Sequence, residues 1–360
     1  MQIFFLILAM VLSFAVVFLL RFFLRKKSFP LALRILAPFG EIVLALILAY
    51  LTMVSLPSGP HVIFIILMGA YVIFLVDGFV GAVFILVEAI AKKKARFFLL
   101  PTLSFALTLS FASYGIVNME VVTAETVECT SEKIHRPYSF AFLTDLHVGK
   151  AQPFHVTAKT IQDAGKAGID FMVIGGDLVD AYTSKEEMAN TFALFGALDV
   201  PVYYVHGNHE ITDLRPSSFT LEEMVLTAKE NGVHVLEDEF VPLGEDLLLL
   251  GRMDMASDKR KAYQDLVNPN PASFLLTIDH QPTDFALAAE YGADLQLSGH
   301  THDGQLLPLG WIYHLVTYPY GDYWRGNSRM FVSPGASGWA TPLRTQGHCH
   351  YEIVHLTPKA

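Results

Sequence analysis

Four apolar runs fill the first third of the chain, at roughly 3–24, 35–56, 62–91 and 97–118. Each is close to or above the ~20 residues that cross a hydrocarbon core as a helix, so the pattern predicts about four transmembrane spans in a domain at 1–118. The first run could be read as a signal peptide. Its basic residues follow the apolar stretch rather than precede it, and no small-residue cleavage site is evident, so it is expected to be a retained span. The third run is too long for one upright span and too short for two with a turn, which predicts a single tilted or protruding helix.

After residue 118 the pattern changes to short apolar runs alternating with amphipathic stretches. Strands are predicted near 121–127, 139–146, 171–174, 200–205, 233–237, 247–251, 274–279 and 294–298, with further strands around 331–333 and 351–355. Helices are predicted near 156–167, 184–198 and 219–231. Strands separated by helices at these intervals indicate α/β layers, with a tail richer in strands than a simple doubly wound sheet. The second domain is therefore expected to span 119–360.

Charge divides along the same line. Residues 1–118 hold nine Lys or Arg against three acids, Glu41, Asp77 and Glu88; the remainder holds sixteen against thirty-two. An acidic soluble part is a poor match for a nucleic-acid backbone, and nucleic-acid binding is set aside as the main role. Arg21, Arg25, Lys26, Lys27 and Arg34 flank the join between spans one and two, and Lys92, Lys93, Lys94 and Arg96 lie between spans three and four. The loop at 57–60 carries no Lys or Arg. With basic loops kept inside, the N-terminus and everything after span four are expected to lie outside the cytoplasm. Asp77, within span three, reads as a kink or helix–helix contact with its carboxyl neutral rather than as a functional ion.

The chemistry sits at strand ends. The stretch Ser139–Leu146 ends in Asp145-x-His147; the next strand runs into Gly175-Gly176-Asp177; the third ends in Gly207-Asn208-His209-Glu210. Later strands end at His280 and at Gly299-His300-Thr301-His302. Strand tips of open α/β sheets are where ligands bind, and the glycines let the following side chains turn to a shared centre. With His209 set aside for another role, the donors are four imidazoles, two carboxylates and one carboxamide. Such mixed N/O ligands suit Mn, Fe or Zn, with Mn preferred, and seven are too many for one ion. They suit two divalent metal ions sharing a carboxylate.

These five blocks, in order and spacing, resemble the calcineurin-like metallophosphoesterase superfamily, in a membrane-anchored branch with N-terminal transmembrane helices. The resemblance covers about 137–302 and implies a four-layer αββα sandwich. It also implies that Asp145, His147 and His302 hold one metal, that Asn208, His280 and His300 hold the other, and that Asp177 bridges them. His209 would contact the scissile phosphate and protonate the leaving oxygen, and Glu210 would orient His209. Asp303-Gly304-Gln305 departs from the Gly-Gly-Gln often found after the last block and adds a carboxylate beside the site.

Two cations about 3.5–4 Å apart can clamp a phosphoryl group and activate a bridging water, and a nearby His suits general-acid work. The expected activity is that of a membrane-bound phosphodiesterase, phosphatase or pyrophosphatase, in which a metal-bridging hydroxide attacks a phosphoester or phosphoanhydride. Membrane tethering points to a lipid-linked or envelope substrate, with a phosphorylated small molecule also open. A nucleotide-lipid pyrophosphatase on the cytoplasmic face would require the opposite topology; a non-catalytic membrane sensor would have no use for His209. Cys129 and Cys349 could form a disulfide in an oxidising compartment. His348, His350 and His355 read as surface histidines on an edge strand rather than a second metal site, and Arg325 and Arg344 as phosphate contacts or surface ion pairs.

Overall fold

The computed structural model describes residues 2–24, 31–55, 61–91, 99–214, 218–315 and 317–359. The basic residues Arg25, Lys26, Lys27, Lys92, Lys93, Lys94 and Arg96, and the loop at 57–60, lie outside them. The chain divides into two compact units, Met1–Tyr114 and Gly115–Ala360.

The first unit is helical: α1 (Gln2–Leu24), α2 (Leu31–Ser55), α3 (His61–Ala91) and most of α4 (Leu99–Glu120). The third apolar run is indeed one helix, of 31 residues. Among the described residues, two stretches are long and apolar enough to cross a membrane, Gly69–Ala91 and Thr102–Glu120; α1 and α2 contribute the shorter apolar stretches Met10–Leu20 and Ile35–Ala45. Asp77 is buried and its Oδ1 accepts a hydrogen bond of 2.6 Å from Ser104 Oγ, so it serves a contact between α3 and α4.

Among the described residues, the second unit contains twelve strands. One mixed sheet has the order β1 (Val122–Ser131), β12 (Cys349–Pro358), β2 (Tyr138–Leu143), β3 (Phe171–Ile174), β4 (Val202–Val205), β5 (Val233–Leu236). The other has the order β10 (Gly321–Arg325), β11 (Ser328–Val332), β9 (Leu295–Ser298), β8 (Phe274–Ile278), β7 (Leu247–Gly251), β6 (Glu239–Pro242). Strands β2 to β5 run parallel, as do β7, β8, β9 and β11.

Alternation along the strands explains the layering. Phe140 and Phe142 of β2 face a core shared with Leu249, Leu276 and Leu297 of the opposite sheet. Ala141 and Leu143 face the other way, onto Ile161, Phe192 and Met224. Those residues belong to α5 (Phe154–Gly165), α6 (Lys185–Gly196) and α8 (Leu221–Glu230). On the far sheet, Leu248, Leu250 and Leu275 pack with Ala288 of α9 (Phe285–Tyr291). Burial on both faces is why these strands read as continuous apolar runs, and each fully buried Leu or Phe contributes roughly 1.5–3 kcal/mol. Capping boxes at Ser184/Glu187 and Thr220/Glu223 start α6 and α8, each stabilising its helix by about 1 kcal/mol. Two short helices complete the unit, α7 (Asn208–Thr212) and α10 (Leu309–Tyr313).

Strand β12 corrects one sequence expectation and answers whether Cys129 and Cys349 pair. It is inserted between β1 and β2 rather than lying at an edge, so His350 is buried, with Nδ1 3.1 Å from Glu352 Oε1. In the parallel register Cys349 lies opposite Val122 and Cys129 opposite Leu356. At about 3.3 Å per residue, seven strand positions hold the two sulfurs far beyond bonding reach, and both cysteines are free.

Candidate metal centre

Each strand of the two facing sheets that runs toward the same rim ends in a polar turn. Asp145 and His147 follow β2, Asp177 follows β3, Asn208 and His209 open α7 after β4, His280 follows β8, and His300 and His302 follow β9. Five of these residues adopt left-handed backbone: Asp145 (φ 56), His147 (φ 40), Asp177 (φ 48), His300 (φ 73) and His302 (φ 49). That conformation is unfavourable for side-chain-bearing residues and persists only where the surroundings enforce it, most often at functional sites. Gly176 has φ +95, and a Cβ there would come within 2.7 Å of both His280 Nδ1 and Gly207 N. Only glycine allows the β3, β4 and β8 turns to close on one another.

The side chains form three overlapping groups whose donor atoms lie within 4.8 Å of one another: Asp145, His147, His302; His147, Asp177, His209; and Asp177, His280, His300. His147 Nε2 lies 3.2 Å from His302 Nε2 and 3.6 Å from Asp177 Oδ2. His302 Nε2 is 3.4 Å from Asp145 Oδ1, and His280 Nε2 is 3.1 Å from Asp177 Oδ2. Asp145, His147, Asp177 and His280 are all buried. Asp177 belongs to two of the three groups and accepts from His209 N at 3.0 Å; Asn208, the residue before His209, has a buried Oδ1 with no hydrogen-bond partner.

The donor set fits divalent cations. His280 Nδ1 is 2.8 Å from the Gly175 carbonyl, which can only accept; the proton is therefore on Nδ1, and Nε2 turns toward Asp177 without a hydrogen-bond partner. In the protein alone, burial disfavours the His280 cation, but the Asp177 carboxylate outweighs it and holds the imidazole well above its usual range. Burial and repulsion from His280 push His300 down to about 3, and burial with the neighbouring His147 holds His302 well below its usual range. Burial would raise Asp177, yet the charges of His280 and His209 hold it well below the ordinary carboxylate range. The centre thus combines an ionised central carboxylate with the unprotonated imidazoles of His300 and His302, a mixed oxygen and nitrogen donor set suited to divalent metal ions.

The support around these donors was not legible in the sequence. Asp180 Oδ2 lies 3.4 Å from His147 Nδ1. Arg260 grips Asp279, the residue before His280, through Nη1 and Nη2 at 3.0 and 2.6 Å, and also reaches Asp284 at 2.9 Å. Among the described residues the Glu210 carboxylate has no hydrogen bond to the His209 ring, in place of the orienting contact expected of it. Its carboxylate accepts from the backbone N–H groups of Gly207 (2.7 Å), Asp177 (3.1 Å) and Val179 (3.0 Å), bracing the β3 and β4 turns.

The acid facing His209 is Asp213, whose Oδ2 lies 2.6 Å from Nδ1. The i,i+4 spacing on α7 was the signal that could have found it. Burial would lower His209, but Asp177 and Asp213 together raise it to about 9. Trp339 packs on His209 with ring centroids 5.3 Å apart.

Neither arginine singled out earlier reaches into the centre. Arg344 is fully buried and donates to the carbonyls of Ser337 (3.1 Å), His302 (2.9 Å) and Pro334 (3.0 Å), so it shapes the loop behind His302. Arg325 pairs with Glu290 at the surface.

The family model for calcineurin-like phosphoesterases matches residues 138–304. An uncharacterized metallophosphoesterase of Helicobacter pylori (strain J99) is 30% identical over 244 residues, which cover 63% of this chain and 62% of that protein. One from Campylobacter jejuni is 30% identical over 291 residues, covering 76% of this chain and 75% of the relative. A transmembrane protein with metallophosphoesterase domain from Danio rerio is 25% identical over 299 residues, covering 76% of this chain and 65% of the relative. The chain spans less than two thirds of the length of the Helicobacter relatives. Together with the two apolar helices, the transmembrane relatives support association with a membrane.

Proposed function

We propose that this chain, which belongs to the calcineurin-like phosphoesterase family and is a metal-dependent phosphoesterase, hydrolyses a phosphoester or phosphoanhydride borne by a lipid or another envelope component. The observation that carries this reading is the pair of buried nitrogens, His147 Nε2 and His302 Nε2, 3.2 Å apart beside two carboxylates. Two imidazole nitrogens this close can share only one proton between them, whereas a cation placed there would take both lone pairs beside the carboxylates of Asp145 and Asp177.

Asp145, His147 and His302 would hold one ion and Asn208, His280 and His300 a second, with Asp177 available to both. Manganese is the preferred occupant of this mixed oxygen and nitrogen set. Bound there, the ions supply Lewis-acid stabilisation of the phosphoryl oxygens and lower the pKa of water.

The chain's own residues complete the reaction. His209 presents Nε2 toward the centre, 3.9 Å from Asp177 Oδ2, while Asp213 stabilises its cation from behind. Its Nε2–H is placed to protonate the leaving oxygen. Trp339 covers the imidazole and limits the access of water to it. Asp180 orients His147, and Glu210 and Arg260 hold the turns that carry Asp177 and His280.

The helical unit forms four spans, with the loops rich in Lys and Arg in the cytoplasm and the catalytic unit outside it. Reporter fusions after residue 120 that are active only in the cytoplasm would overturn that orientation. The activity is tested with the full chain in detergent, offered an aryl phosphodiester and an aryl monoester after chelation and after Mn is restored. Turnover restored by Mn and absent from Asp177→Asn supports the reading. Turnover that survives chelation, or is unchanged in Asp177→Asn, contradicts it.

A further inference from the structure

The segment after the last histidine block leaves large apolar side chains uncovered. Trp311 on α10 is 65% exposed and Leu315 is 82% exposed. They are four residues apart, and His314 N still donates to Gly310 O at 3.1 Å, so both lie on one side of a helical turn. A Trp and a Leu presented together to water are unusual unless something apolar covers them.

What holds this turn in place identifies the cover. Leu307 N donates to Thr345 Oγ1 (3.0 Å) and Gly310 N to Gln346 Oε1 (3.2 Å), so α10 hangs from the loop at 343–347. The same loop grips the end of α4: Arg344 N donates to Gly115 O (2.9 Å), and Asn118 Nδ2 donates to the carbonyls of Arg344 (3.1 Å) and Gly347 (2.8 Å). The apolar stretch Thr102–Glu120 has 19 residues. At ~1.5 Å per residue it is about 28 Å long, close to the ~30 Å of a hydrocarbon core. Gly115 and Asn118 then lie within about 8 Å of its end, at the depth of the interface. The loop that holds α10 is therefore itself at the interface, where Trp is favoured because its ring is apolar and its N–H stays wet.

We propose that Trp311 and Leu315 form a wedge seated in the bilayer surface from which α4 emerges, and that this wedge sets the mouth of the metal centre against the membrane. The continuity runs through the chain itself. Gln305, three residues after His302, accepts from Trp339 N at 2.8 Å, and its backbone carbonyl accepts from Thr345 N and Gln346 N at 3.0 Å. One loop thus joins the end of α4, the wedge and the Trp339 that covers His209. A phosphoester carried by a lipid would reach the centre without leaving the surface. This inference rests on the reading that α4 crosses a bilayer, and it names the face through which a lipid-borne substrate enters.

The chain has three tryptophans, Trp311, Trp324 and Trp339, which makes fluorescence a direct test. The full chain is reconstituted into phosphatidylcholine vesicles with and without bromine on the acyl chains, in two forms. Trp324→Phe with Trp339→Phe leaves Trp311, and Trp311→Phe with Trp324→Phe leaves Trp339. Interfacial residues sit ~5–10 Å into the headgroup and acyl boundary, so bromolipid should remove about half of the Trp311 emission and leave that of Trp339 nearly unchanged. If the protein floats with the vesicles but Trp311 is not quenched, the wedge is wrong, whether Trp311 is then reached by acrylamide from water or shielded by a second copy of the chain. If the protein does not float with the vesicles, the membrane reading fails, and the wedge with it.

Discussion

His209 on α7 and Asp213 at the C-terminal cap of that helix form a part-buried pair, with Nδ1 and Oδ2 2.6 Å apart. The helix begins where β4 ends, so the backbone that delivers Asn208 and His209 to the centre also delivers the acid behind His209. His209→Ala should lower kcat about 10²–10⁴-fold, the range of a general acid, with metal content unchanged. Asp213→Asn should give a smaller loss, also in kcat rather than KM. Equal activity in Asp213→Asn and the parent, measured on an aryl diester, would remove Asp213 from the account.

Asp180 tests the support of the first cluster. It lies 3.4 Å from the ring nitrogen of His147 that faces away from the centre. Partners of this kind typically contribute 10–100-fold to metal affinity, so Asp180→Asn should weaken binding of the first ion by about that factor. Competition with a fluorescent chelator measures it. An unchanged affinity would leave Asp180 a bystander.

Glu210 belongs to the architecture rather than the chemistry. Its carboxylate satisfies three backbone N–H groups from two turns. In Glu210→Gln the amide nitrogen cannot accept, which leaves buried N–H groups unpaired at a cost of about 1–3 kcal/mol each. The melting temperature should therefore fall, and any loss of activity should track loss of folded protein. A stable Glu210→Gln that is inactive would return this residue to the catalytic role first expected of it.

Asp246 offers a pH test away from the centre. It is buried and accepts from Tyr138 Oη and from His135 N (2.6 Å), tying the start of β2 to the β6–β7 turn. Burial would raise its pKa, but the Tyr138 and His135 hydrogen bonds hold it below the ordinary carboxylate range. A carboxylate depressed in the folded state adds stability that is fully present above its unfolded value, near 3.9, and is lost as pH falls through the folded one. Wild type should therefore lose more melting temperature than Asp246→Asn between neutral pH and about pH 3. Parallel losses would show that this pair does not contribute.

The strands that carry the site were legible because burial on both faces made them continuous apolar runs, with β3 at 171–174 and β7 at 247–251 read to the residue. The parts that escaped have weak local signals. The β6 segment is partly exposed and ends in Pro242, β10 is largely exposed, and α9 and α10 are only seven and five residues long. Motif order drew attention to Asp145, His147, Asp177, Asn208, His280, His300 and His302. It could not reveal Arg260 or Asp180, because each finds its partner only when separate turns fold together. The place of β12 escaped for the same reason: nothing local in 349–358 says that this strand enters between β1 and β2.

If Asp177 serves two metal ions at once, its loss should empty one of two sites. Metal analysis of the chelated and reloaded full chain, with and without Asp177→Asn, measures this. Two divalent ions are expected per wild-type chain, at most one in Asp177→Asn, and hydrolysis should be lost with the second ion. A wild-type chain that binds a single ion, or an Asp177→Asn chain that keeps both ions and full activity, would contradict that role of Asp177.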